Sequence, residues 1–340
     1  MKILFNTYYH AFQNPGGGEV VLLKTKEALL KLGVQVDLFD PWTHKLKNYD
    51  LIHNFATLNY RDWDGFKAYC PNLVVTPVMW PDDSVMMCLK EKFKAQVKDL
   101  CGMSSSEVNF WNALQRVDHF FPTTNQESER IQKRFGLSEK KFTTIYNGVS
   151  KPNESQNENS FYEKYKLKDY FLFVGRISPL KNVHLIIESV IKTGQRIVII
   201  GQSDIVDKKY HEDLIVKYKK NELVSFLGPL VQDSKELNDA YYASKAVIVA
   251  SEFETCSLVG LEAGIRGVPV IMTNQGATYE VYGNFVEYIN PHEPDKISKS
   301  LEIDWSLEKR EALKQHIQSN YQWENIAKRL LCQYEEIIKN

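Results

Sequence analysis

The amino-acid sequence predicts an α/β protein built of two parallel-sheet domains, and three observations predict it. Short β-rich runs alternate with segments of helical period, the pattern of parallel sheets covered by helices on both faces. The 340 residues exceed what one hydrophobic core usually supports, so two domains of roughly 150 residues each are expected. An amide-rich stretch from Ser150 to Ser160, with almost nothing to bury, interrupts the alternation near the middle of the chain.

In the first half the expected strands are Lys2 to Asn6, Gln35 to Phe39, Leu51 to His53, Leu73 to Val78 and His119 to Pro122. Between the first two lies a helix, Glu19 to Leu32, whose stripe of Val20, Leu23, Ala28 and Leu30 stops at Gly33, completing one βαβ unit. After the amide-rich stretch the alternation restarts, with Tyr170 to Val174, Arg196 to Ile200, Val224 to Leu227, Ala246 to Ala250 and Val268 to Met272 as strands of a second Rossmann-like domain. From Gln322 to Ile338 apolar residues recur at helical spacing (Trp323, Ile326, Leu330, Leu331, Tyr334, Ile337). The expected organisation is a first domain over residues 1–150, a linker over 151–166, a second domain over 167–320 and a helix over 321–340.

Composition excludes several function classes. An apolar fraction of 43% with 25% charged residues is that of an ordered globular protein. A formal net charge of −1 leaves no global field for nucleic acid, which is not an expected partner. The five cysteines include no Cys-x-x-Cys pair, and a reducing, cytoplasmic compartment is the simplest reading. The first residues lack a secretory apolar region, and no run reaches the roughly 18 apolar residues that span a bilayer, so a soluble or peripheral protein is expected. Residues Val85 to Lys98 mix apolar side chains with four lysines against one glutamate. Two readings stay open there: a core helix with a solvated basic side, or a peripheral contact with the anionic inner face of the membrane.

Chemistry concentrates in the second half. The run Ser251 to Gly264 begins where the strand Ala246 to Ala250 ends, in the crevice where open α/β sheets bind ligands. Ser257 is a fair N-cap for a helix running to about Ile265, and the free N–H groups of the first turn, at Ser257 and Leu258, suit a diphosphate. On that helix Leu258, Leu261 and Ile265 form the expected buried stripe, with Glu262 beside them. A half-buried carboxylate needs a partner, and a ribose diol can donate both its hydroxyls to one. Glu254, eight residues earlier and off the helix, is placed to meet hydroxyls of a group attached to that diphosphate. Taken alone, Glu262 reads better as an exposed helix residue and Glu254 as a loop residue. The stretch Phe171 to Asn182 supplies the complement: a strand ending in Gly175, then Arg176 and Lys181. Two permanent cations at a strand edge repel each other unless an anion lies between them.

The run Gly-Arg-x-Ser-Pro-x-Lys-Asn, the Glu-x7-Glu spacing of Glu254 and Glu262, and the ending Glu-Ala-x-x-x-Gly-Val-Pro-Val resemble retaining glycosyltransferases of family 4. Gly16-Gly17-Gly18-Glu19, Ile145 to Val149 and Tyr321 to Glu324 fit the same family, in order over nearly the whole chain. The resemblance implies the GT-B fold: two Rossmann-like domains facing a central cleft, acceptor side first and nucleotide-sugar side second, with the C-terminal helix crossing back. It implies that Arg176 and Lys181 bind the donor phosphates, that Glu262 holds ribose, and that Glu254 approaches the sugar. It further implies that the acceptor, a glycan or lipid-linked hydroxyl, attacks from the leaving-group face. The donor would be a UDP- or GDP-sugar, with no separate cofactor.

Two departures stand out. Thr255-Cys256-Ser257 replaces the family's frequent Gly-Phe-Gly, which leaves the donor sugar open. A histidine common after the fourth strand is missing from Thr76 to Pro81, leaving its task to another group such as His53 or His119, or to none. The Gly16-Gly17-Gly18 loop, where backbone can approach a ligand, also invites a dinucleotide reading, with Asp40 about 22 residues on. Val21 occupies the place of the third glycine, and that reading leaves Arg176, Lys181, Glu254 and Glu262 unexplained. Asp82 and Asp83 form no Asp-x-Asp pair, and no metal is expected. A catalytically silent nucleotide-sugar binder and a sugar-nucleotide epimerase remain alternatives.

Overall fold

The computed structural model describes residues 1–82, 106–152 and 158–339, and the basic segment 85–98 lies outside them. The described chain divides into two compact units, Met1–Gly148 with Trp323–Asn340, and Val149–Gln322.

The first unit holds five parallel strands, β1 (Lys2–Asn6), β2 (Gln35–Leu38), β3 (Leu51–Phe55), β4 (Leu73–Thr76) and β5 (His119–Phe120), in the order β2-β1-β3-β4-β5. Alternation along β1 explains why both faces are covered. Ile3 and Phe5 pack with Leu22, Leu29, Trp323, Ile326, Leu330 and Tyr334, whereas Leu4 packs with Ile52, Trp63, Phe66 and Leu114 on the other side. The helix Gly17–Lys31 buries Leu22, Ala28 and Leu29, while Leu23 and Leu30 are exposed. The expected stripe is thus rotated by about one residue: packing against the helix Trp323–Lys339, not the apolar count, sets the phase. The fourth strand stops at Thr76 because Pro77 brings no N–H to continue the ladder.

The second unit holds six parallel strands, β6 (Tyr170–Val174), β7 (Arg196–Ile200), β8 (Val224–Gly228), β9 (Ser244–Val249), β10 (Val270–Thr273) and β11 (Glu287–Ile289), ordered β11-β10-β9-β6-β7-β8. The edge strand β11 is too short to read from sequence. Within the expected linker Glu158–Tyr165 is a helix, and buried Phe161 packs against the rings of Tyr165 and Tyr170. Two aromatics at i and i+4, Phe161 and Tyr165, share one side of this helix.

Candidate functional site

The strand order fixes where a ligand can enter the second unit. From β6 the chain proceeds outward to β7 and β8, and then returns to the other side of β6 as β9, continuing to β10 and β11. The two loops that leave β6 and β9 therefore diverge from neighbouring strand ends, which opens the crevice of a topological switch point. Arg176 and Lys181 follow β6; Glu254, Ser257 and Leu258 follow β9; Glu262 lies one turn further along the helix Leu258–Ile265.

Close backbone approach shapes this edge. Gly201, just past β7, has φ 149°, and a Cβ there would lie 1.8 Å from the carbonyl oxygen of Gly175. Gly276 has φ 90°, and a Cβ there would lie 2.0 Å from the Glu254 carbonyl oxygen. Only glycine fits either position. The β6 and β9 loops are also stitched together. Asn182, itself left-handed at φ 51°, donates its side-chain amide to the Ala250 carbonyl (3.0 Å) and to Glu252 Oε1 (2.7 Å), and the Glu252 N–H donates to the Leu180 carbonyl (2.8 Å).

Within this frame Lys181 Nζ meets Glu254 Oε1 at 2.5 Å, and Ser251 Oγ donates to the same oxygen at 2.6 Å. Arg176 Nη1 meets Asp204 Oδ2 at 2.7 Å. The repulsion expected between the two cations is thus already relieved within the protein. Each cation already has a carboxylate of its own, so an anion between them is accommodated by exchange rather than required by repulsion.

Ser257 stands at the N-cap position, but its side chain makes no capping hydrogen bond, contrary to the expectation. The turn is instead held by its carbonyl, which accepts from Leu261 N at 3.2 Å and from the buried Tyr282 hydroxyl at 2.7 Å. The first-turn N–H groups of this helix lie outside its internal ladder. Of the expected stripe, Leu261 and Ile265 are buried, while Leu258 is only partly covered. Glycine does the remaining packing: a Cβ on Gly264 would come within 2.8 Å of Ile317, and one on Gly260 within 2.5 Å of Tyr282.

Glu262 has partners that the sequence did not reveal. Gln232 Nε2 donates to Oε1 at 2.5 Å and the Tyr241 hydroxyl donates to Oε2 at 2.6 Å. Burial of the carboxylate raises its pKa above the usual range, opposed by these two donors and by Arg266. A ribose is thus not needed to satisfy Glu262. Two of a carboxylate's roughly four lone-pair positions still remain for a ligand.

The other candidates belong to the first unit. Gly16 caps the helix Gly17–Lys31, whose first residues are Gly17 and Gly18. Glu19 ties the loop down, accepting from Gly16 N–H at 2.7 Å and from the Tyr8 hydroxyl at 2.5 Å. A Cβ on Gly18 would meet nothing within 4 Å, so the surface there is open. His53 is buried in β3, with Nδ1 at 2.5 Å from the Tyr334 hydroxyl and Nε2 at 2.9 Å from Thr76 Oγ1; burial pulls its pKa down to about 3. His119 bonds Thr143 Oγ1 at 2.9 Å, and burial pulls it down to about 4. Both are neutral, hydrogen-bonded parts of the sheet's packing.

Among the described residues no group of three His, Cys, Asp or Glu side chains is arranged to hold a metal ion, and no helix is long and apolar enough to cross a membrane.

Residues 154–323, half of the chain, match the family of glycosyl transferases group 1. An uncharacterized glycosyltransferase of Methanocaldococcus jannaschii is 29% identical over 229 residues, 61% of this chain and 57% of that protein. The O-antigen chain mannosyltransferase of Salmonella typhimurium is 26% identical over 182 residues, 53% of this chain and 48% of that protein. These matches span about half the length of the curated relatives. Among solved structures, sucrose-phosphate synthase from Thermosynechococcus elongatus superposes with a TM-score of 0.78 at 16% identity, over 100% of both chains. An Anabaena protein, HepE, solved in complex with UDP and glucose, superposes with a TM-score of 0.73 at 17% identity, over 98% of this chain and 99% of its own. These likenesses share the α/β architecture of two Rossmann-like domains.

Proposed function

The chain is a member of the glycosyl transferases group 1 family, and from that premise we propose that it transfers a sugar, with retention, from a UDP- or GDP-sugar to a glycan or lipid-linked hydroxyl. The observation that carries this reading is the convergence of Arg176, Lys181, Glu254 and the first turn of the helix Leu258–Ile265 on the switch point between β6 and β9. The complex of HepE with UDP and glucose supports a nucleotide-sugar donor, and the O-antigen chain mannosyltransferase supports a role in cell-surface polysaccharide synthesis.

In the proposed reaction the donor diphosphate takes over Lys181 and Arg176 from Glu254 and Asp204, and the helix N-terminus adds N–H donors. These groups stabilise the charge that develops as the bond from the anomeric carbon to phosphate oxygen breaks. One well-placed donor of this kind is worth on the order of 3 kcal/mol. Glu254, released from Lys181, is then available to the hydroxyls of the sugar. An acceptor arriving on the leaving-group face forms its new bond on the side just vacated, and its proton passes to the departing phosphate oxygen. Two cations and a helix terminus do the work for which other sites use a metal, so the reaction proceeds without one. The basic segment 85–98 is proposed to bring the enzyme to the inner membrane face.

Calorimetry on Arg176→Ala and Lys181→Ala tests the clamp. Each variant is expected to bind nucleoside diphosphate at least tenfold more weakly, as loss of a charged hydrogen bond implies, with nucleoside binding nearly unchanged, and wild-type turnover is expected to survive EDTA. Equal losses for diphosphate and nucleoside, or abolition by EDTA with rescue by manganese, would overturn the assignment.

A further inference from the structure

Glu262 sits between two donors of opposite character. Tyr241, at the end of the helix Lys235–Tyr242, is fully buried, and its ring is covered by the Arg266 guanidinium at 4.9 Å. Arg266 is itself fixed, donating Nη1 to the Glu262 carbonyl at 2.6 Å and Nε to Asn238 Oδ1 at 2.9 Å. The hydroxyl that reaches Glu262 Oε2 is therefore part of a packed assembly that includes the helix of Glu262 itself. Gln232, by contrast, lies exposed in the connection after β8, and only its amide reaches Oε1.

We propose that Tyr241 is a positioning residue that aims the Glu262 carboxylate at a vicinal diol of the ligand, and that the Gln232 amide occupies one place of that diol and yields when ligand arrives. The proposal rests on the reading of Glu262 as the ribose-holding residue. A carboxylate on a free side chain rotates; one whose Oε2 is held by a buried phenol presents a single plane. Discrimination for a diol depends on that plane, because both hydroxyls must donate at once. The exchange at Oε1 conserves hydrogen bonds, since a ligand hydroxyl replaces the amide and water takes up the freed Gln232 side chain.

The test measures affinity for UDP and GDP and for their 2′,3′-dideoxy counterparts. The wild type is expected to prefer the ribose form at least tenfold, as loss of hydrogen bonds to a charged acceptor implies. Tyr241→Phe keeps the ring under Arg266 and should reduce that preference to less than about threefold while leaving dideoxy affinity unchanged. In a Glu262→Gln background the same change should have no further effect. Gln232→Ala, at an exposed position that leaves folding intact, should bind the ribose form as tightly as wild type or more so. A Tyr241→Phe protein that keeps the full preference, or that loses affinity for both forms alike, overturns the positioning role. A Gln232→Ala loss as large as that of Tyr241→Phe overturns the displaceable role. If the wild type binds diphosphates without preferring ribose, the reading of Glu262 fails; if it binds neither, the assignment of the whole site fails.

Discussion

The pairing of Lys181 with Glu254 makes the two residues competitors as well as collaborators. Removing the carboxylate charge leaves Lys181 wholly available to phosphate, so Glu254→Gln should bind nucleoside diphosphate as tightly as the wild type or more tightly. Its kcat should nevertheless fall by about 100-fold, equivalent to ~2.7 kcal/mol of transition-state stabilisation. Calorimetry beside steady-state kinetics checks this, and a loss of affinity parallel to the loss of kcat would contradict it. His53 supplies a prediction of another kind. Its folded pKa of about 3 lies below the ordinary histidine value. Below about pH 6.5 the unfolded chain takes up a proton there that the folded chain refuses, so stability is complete above that pH and drains away as pH falls. Between pH 7 and pH 5 this residue should cost the first unit about 2 kcal/mol, a loss that His53→Gln removes. Hydrogen exchange of the β3 amides at the two pH values measures it. At this scale the sequence was half legible. Arg176, Lys181, Glu254 and Glu262 stand out because each follows a recognisable strand end. Their partners Asp204, Gln232 and Tyr241 do not, because each joins its counterpart from a different loop or helix, as Gln232 does 30 residues before Glu262. Topology rather than local spacing creates those pairs.

Elements were legible where hydrophobic pattern and burial coincide, as in β6 and β7, whose bounds match the expected ones residue for residue. They were less so where a neighbour decides. The phase of the helix Gly17–Lys31 depends on a helix some 300 residues later, and the Ser257 turn is held by Tyr282 rather than by its own hydroxyl. The strand-end glycines show why composition alone misleads, since their backbones demand different things. Gly201→Ala would place a methyl group 1.8 Å from the Gly175 carbonyl oxygen at φ 149°, and should destabilise the second unit by at least ~2 kcal/mol. Gly228→Ala meets no atom within 4 Å and carries only the strain of φ 74°, about 1 kcal/mol. Urea midpoints at unchanged slope should rank the two variants in that order, and nucleoside diphosphate binding should be lost first in Gly201→Ala.

Each unit has its own sheet and its own core, and the second is one continuous stretch, Val149–Gln322. That stretch is closed at its ends: the Val149 N–H donates to the Tyr321 carbonyl at 2.7 Å. Expressed alone, residues 149–322 should therefore fold and bind nucleoside diphosphate with the affinity of the full chain. Circular dichroism and calorimetry check both halves of that expectation, and a fragment that folds without binding would show that the site is incomplete within this unit.

The first unit is different, because its core is written in two places. Leu22 and Leu29 face Trp323, Ile326 and Leu330, so the helix Gly17–Lys31 is covered by residues that a ribosome adds only after the whole of the second unit. During synthesis the amino-terminal sheet must wait, one face bare, while the later-made unit can already be complete. The sequence that comes first is thus finished second, and for that interval the growing chain depends on whatever in the cell shelters exposed Leu22 and Leu29 from one another's copies.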